Sequence, residues 1–87
     1  MTVFVGATVL TFQTTYRVMM ADRLLKQAGV IAGLMPTPQG VESPCGLSIR
    51  LTQEDILAAR QVLASGQIEI RASYAYLDGR WCEVGVG

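Results

Sequence analysis

The apolar positions of this chain change period along its length, and each change marks an element. Val3, Val5, Ala7 and Val9 fall on one side of a stretch whose other side carries Phe4, Leu10 and Phe12. Apolar residues on both sides of a β-branched stretch predict a strand over residues 3–12 that is central and covered on both faces. Gln13-Thr14-Thr15 breaks it, and Thr14 or Thr15 can N-cap a following helix. From Tyr16 to Ala28 the spacing is helical. Tyr16, Met20, Leu24 and Ala28 form one row with Ala21 and Leu25 beside it, while Arg17, Asp22, Arg23 and Lys26 fall mostly elsewhere. Gly29 suits the left-handed residue that ends a helix.

Val30 to Met35 is a short apolar run and predicts a second strand. Gly46 to Leu51 alternates and predicts a third. Thr52 then stands as the cap of a second helix, with Glu54 and Asp55 in its first turn and Asp55 at the capping-box position. Ile56, Ala59 and Leu63 share its apolar face, Leu57 and Val62 lie alongside, and Ser65-Gly66 stops it. The cleanest alternation follows from Gln67 to Leu77, with Ile68, Ile70, Ala72, Tyr74 and Tyr76 on one face. Asp78-Gly79 is a hairpin-turn signal and allows a fifth strand through Trp81, Cys82 and Val84, before a Gly-rich tail. The order predicts an α+β fold: a ferredoxin-like βαββαβ two-layer sandwich with a C-terminal β-hairpin. Its crossovers are expected to be right-handed.

At 87 residues, without repeat or linker, the chain reads as a single domain over residues 1–87. Half of it is hydrophobic, 16% is charged, and the formal net charge is zero. That balance argues against disorder and against a nucleic-acid binder, which would carry a basic stripe. Mean hydropathy is +0.36, high for a small soluble chain. Either the core is generous or apolar surface meets a second copy, and a homodimer is expected through strand edges or sheet faces around residues 67–77. The N-terminal apolar run is too short and interrupted for a membrane span, and no basic residue precedes it as a secretory signal would want. The expected setting is the reducing cytoplasm, with both cysteines free.

Candidate chemistry concentrates between residues 35 and 46. All three prolines, Pro36, Pro38 and Pro44, lie there with Cys45. Proline fixes φ and donates no hydrogen bond, so this is a stiffened loop with a thiol at its end. The chain has no histidine, which removes the commonest general base and metal ligand. Two cysteines alone make a poor metal site, and none is expected. Cys45 is therefore the first candidate nucleophile, with Gly46 leaving its flank unshielded and the N–H groups of Gly46 and Leu47 available if they converge on the sulfur. The competing reading is a small buried hydrophobe that opens the third strand. Cys82 reads as structural, and sequence does not bring it within bridging range of Cys45. Thr14 and Thr15 are either plain caps or the lip of an anion site at a helix N-terminus. Arg50, Arg71 and Arg80 read as solvated surface rather than a docking patch.

Four segments together resemble a family. They are Phe12-Gln13-Thr14-Thr15, Leu24-Leu25-Lys26-Gln27-Ala28-Gly29, Pro36-Thr37-Pro38, and Cys45-Gly46-Leu47-Ser48-Ile49-Arg50. From about residue 8 to residue 76 the chain is similar to the small bacterial selenium/sulfur carrier protein-like family. The resemblance implies a relay of sulfur or selenium as a persulfide on Cys45, framed by Pro36, Thr37, Pro38, Pro44 and Gly46. It implies donor and acceptor proteins as partners, and no cofactor. Two positions depart from the family pattern. Neutral Gln39 stands where a basic residue is common, and Pro44 where a small hydroxyl residue usually precedes the cysteine. The alternatives are a non-catalytic binding or regulatory module, or an accessory factor for a metalloenzyme.

Overall fold

The strand at the start of the chain is the centre of the sheet. In the computed structural model, which describes residues 7–84, β1 (Ala7–Thr11) is buried along its whole length. The expected residues 3–6 of this strand, and the tail after Val84, lie outside the described residues. The chain continues through α1 (Thr15–Gln27), β2 (Ala32–Pro36), β3 (Leu47–Thr52), a 3-10 turn (Gln53–Asp55), α2 (Ile56–Ser65), β4 (Ala72–Leu77) and β5 (Arg80–Val84). The five strands form one antiparallel sheet in the order β2-β3-β1-β4-β5. The α+β class is as the sequence predicts. The expected C-terminal hairpin forms and adds β5 as a fifth strand at the edge, so the strand order is not that of a four-stranded ferredoxin-like sheet.

Residues opposite one another in an antiparallel pair share a face. Leu10 opposite Ile49 therefore shows one face, Val9 opposite Tyr74 the other. On the first face Leu10, Phe12, Ile49 and Leu51 meet Val18, Ala21 and Leu25 of α1 and Ala59 and Leu63 of α2. The second face holds a smaller cluster of Val9, Val41, Ala72 and Tyr74, with Met35 and Trp81 against it. Val41 belongs to no strand or helix: the Pro-rich loop itself covers this face.

Both helices end in the same device. After α1, the N–H of Gly29 donates to the Lys26 carbonyl and that of Val30 to Leu25, with Gly29 at φ +80°. After α2, Gln67 and Ile68 donate likewise to Ala64 and Leu63, and the left-handed residue is Gln67 at φ +59°. The helix stops at Ser65-Gly66 as expected, with Gly66 at φ −86° rather than left-handed. A Cβ there would lie 2.5 Å from Leu24 Cδ1, the end of a side chain that would have to shift.

Several sequence expectations are corrected. The buried side of α1 is Val18, Ala21, Asp22 and Leu25, while Tyr16 is 71% exposed. The helix is thus turned from the row running through Tyr16, and Leu24 faces the end of α2 instead. Asp22, assigned to the polar side, is buried and pairs with Lys26 Nζ at 2.9 Å. Leu57 is exposed rather than alongside the apolar face. β4 begins at Ala72, not Gln67, because its partner runs out: Thr11, opposite Ala72, is the last residue of β1. Ile68 and Ile70 pack on the helix-side cluster, whereas Ala72 and Tyr74 belong to the cluster on the other face, so the five residues expected on one face are divided between the two. Thr52 makes no side-chain cap; its hydroxyl donates to Asp55 Oδ2 at 3.1 Å.

Candidate functional site

The loop between β2 and β3 is closed at its neck by residue 37. The Thr37 N–H donates to the Gly46 carbonyl at 2.9 Å, beyond the last sheet pair, Pro36 with Leu47. Thr37 Oγ1 lies 3.3 Å from the Cys45 carbonyl and 2.7 Å from Ser48 Oγ. A hydroxyl has one hydrogen, and a carbonyl can only accept. Thr37 therefore donates to Cys45, and the fully buried Ser48 donates to Thr37. Thr37 is in this way tied to the backbone that carries the thiol.

Inside the neck the loop folds on itself. Val41 N–H donates to the Pro38 carbonyl at 3.1 Å, a turn whose third residue, Gly40, has φ +94°. Farther on, the Cys45 N–H donates to Ser43 Oγ at 3.3 Å. This is a local side-chain turn of the kind serine favours, and Pro44 sits within it with no N–H of its own.

Cys45 is half-buried against the helix-side core. Its sulfur lies 3.3 Å from the Leu47 carbonyl, 3.7 Å from the Phe12 carbonyl and 3.7 Å from Ser43 Oγ. Either carbonyl can accept the single S–H proton, with Leu47 the nearer; of these three neighbours only the Ser43 hydroxyl can donate to the sulfur. Neither the Gly46 nor the Leu47 N–H is among the hydrogen-bond partners of the sulfur. Leu47 presents its carbonyl to the thiol, and the Gly46 carbonyl closes the neck.

The Phe12 contact joins two separated parts of the sequence pattern, since Phe12 opens the segment that leads into α1. There Thr14 accepts from the Arg17 N–H at 3.2 Å and acts as the cap. Thr15 is the first helical residue and exposed. Pro36 ends β2, and both it and Pro44 are exposed. Gly46 is exposed too, its φ is not positive, and a Cβ there would meet nothing within 4 Å. Its flank of the sulfur-bearing residue is open.

Other candidates separate. Cys45 and Cys82 are both free and both half-buried, so burial class alone does not rank them. Among the described residues no group of three or more His, Cys, Asp or Glu could hold a metal ion. Arg50, opposite Val9, and Arg80, opposite Leu77, belong to opposite faces of the sheet, so with Arg71 they form no patch. Tyr74 is core, and Tyr76 packs edge-on against Trp81 with ring centroids 5.1 Å apart. Among the described residues no helix is long and apolar enough to cross a membrane.

Neither the curated proteins nor the solved structures contain a match to this chain. A family model does match, over residues 7–75, which takes in the neck, Cys45 and the α1 cap together. The family is described as "Putative Se/S carrier protein-like", and the chain belongs to it.

Proposed function

We propose that this protein carries sulfur or selenium on Cys45 between partner proteins. The observation that carries the reading is a half-buried free thiol at the neck of a closed loop, open at Gly46, inside the family-matched segment. The Cys45 thiolate attacks the terminal sulfur of a donor persulfide. A new S–S bond forms on Cys45, the donor's S–S bond breaks, and the electron pair leaves with the donor thiolate. An acceptor thiolate then attacks the same terminal sulfur, and Cys45 departs as thiolate. Selenium would travel as the terminal atom in the same way. No outside oxidant or cofactor is required, because the transferred atom is cargo. Ser43 would donate to the charged sulfur once the S–H proton has gone.

The scaffold suits this reading as a ferredoxin-like unit, β2-β3-β1-β4, extended by β5. The setting is the reducing cytoplasm, where both thiols stay free. Partners are a persulfide or selenopersulfide donor, an acceptor protein and a second copy of the chain. A non-catalytic binding module is the second reading. It is favoured by the S–H facing two carbonyls, as in a structural cysteine.

A cysteine desulfurase with its substrate, or another persulfide donor, tests the proposal. The wild type and Cys82→Ser are expected to gain one sulfur, and Cys45→Ser none. Loading that survives Cys45→Ser overturns it.

A further inference from the structure

The loop does more than connect β2 to β3. It crosses the sheet face that carries no helix, and its Val41 is 9% exposed. Val41 packs with Val9 of β1 and with Ala72 and Tyr74 of β4, flanked by Met35 of β2 and Trp81 of β5. One loop side chain thus joins a cluster built on β1 and β4. A second anchor lies beside it, where Arg71 Nη1 donates to the Glu42 carbonyl at 3.1 Å. The Arg71 N–H also donates to the Thr11 carbonyl at 2.8 Å, which fixes the base of that side chain to β1. Only Glu42, Ser43 and Pro44 separate Val41 from Cys45, whose side chain packs on the other core cluster. Pro44 has a fixed φ, and Ser43 is held by the Cys45 N–H. Little slack remains to absorb a movement at Val41 before it reaches the sulfur.

We propose that residues 38–44 act as a strap, in which Val41 and Arg71 are positioning residues that hold the Cys45 sulfur against the Phe12 and Leu47 carbonyls. Seated, the strap keeps the thiol half-covered; released, it frees the sulfur to be reached. The idea deepens the reading of Cys45 as the reacting thiol by naming what regulates it.

Site-resolved alkylation of the folded protein with iodoacetamide tests the strap, with Cys82 as the reference in the same molecule. Arg71→Gln is expected to raise the Cys45 rate roughly fivefold, the shift in an opening equilibrium for one lost hydrogen bond. Val41→Ala is expected to raise it roughly tenfold or more, since it also removes buried methyl groups. Arg71→Lys keeps a cationic donor and should return most of the wild-type rate. The Cys82 rate stays unchanged throughout. Unchanged Cys45 rates in folded Arg71→Gln and Val41→Ala overturn the strap, and so does an equal rise at Cys82. If Val41→Ala does not fold, the exposed Arg71→Gln decides alone. No sulfur donor is present, so failure here leaves the loading result standing, and failed loading leaves the strap standing.

Discussion

Cys45 and its two neighbours divide the work of the site. Cys45 offers the thiol, Ser43 accepts its N–H and can donate to the sulfur, and Gly46 leaves one side open. Gly46 is needed neither for a left-handed turn nor for a close internal approach. Gly46→Ala is therefore expected to change stability by less than about 0.5 kcal/mol. It should slow sulfur uptake from a protein donor, which must bring its backbone close, but not from a small-molecule persulfide. Thermal unfolding and parallel loading assays check this; equal loading rates in both assays would rule out Gly46 as the approach route. Thr37 is the opposite case, because its hydroxyl satisfies the buried Ser48. Thr37→Val is expected to cost about 1–3 kcal/mol in denaturant unfolding, the price of an unpaired buried hydroxyl.

Among the elements, the helix ends give the sharpest stability tests. Gln67 sits at φ +59°, where a side chain is strained and glycine is not. Gln67→Gly is expected to stabilise the fold by about 1 kcal/mol in denaturant titration. Thr52→Ala should shift stability by less than about 0.5 kcal/mol, since its exposed hydroxyl meets a side chain and caps no backbone. A loss of about 1 kcal/mol would show that Thr52 caps after all. The sequence announces the order of elements because period and turn residues are local signals. The Thr14 cap, Gly29 and Asp78-Gly79 stand where those signals put them. The sequence does not show which side of α1 meets the sheet, since its apolar residues spread over more than half the helix circumference. Nor does it show that β4 starts only where β1 offers a partner. At the site, the Cys45 loop is legible from its prolines. The Ser43 contact, the inward-facing carbonyls and the Val41 anchor come from non-local packing that leaves no periodic trace.

At the scale of the whole molecule, the sheet carries two helices on one face and, over the Val9–Tyr74 cluster of the other, the strap. The β4 strand lies between β1 and β5, so its edges are used, and pairing of copies through an edge falls to β2 or β5. Beside β2, Ile31 is 79% exposed and Leu34 on the strand is 42% exposed, whereas β5 shows Arg80 and Glu83. Charged edges resist pairing and apolar ones invite it. Light scattering at micromolar concentration is expected to give a dimer mass that Leu34→Lys reduces to a monomer. A wild-type monomer at every accessible concentration would contradict pairing through β2.

The central claim is that Cys45 holds a transferable atom, and intact-mass spectrometry of the native protein, purified without reductant, asks this directly. The account predicts a population heavier by one sulfur or one selenium atom, located to the Cys45 peptide and removed by a thiol reductant. A single unmodified mass, from protein made in cells with an active persulfide supply, would contradict it.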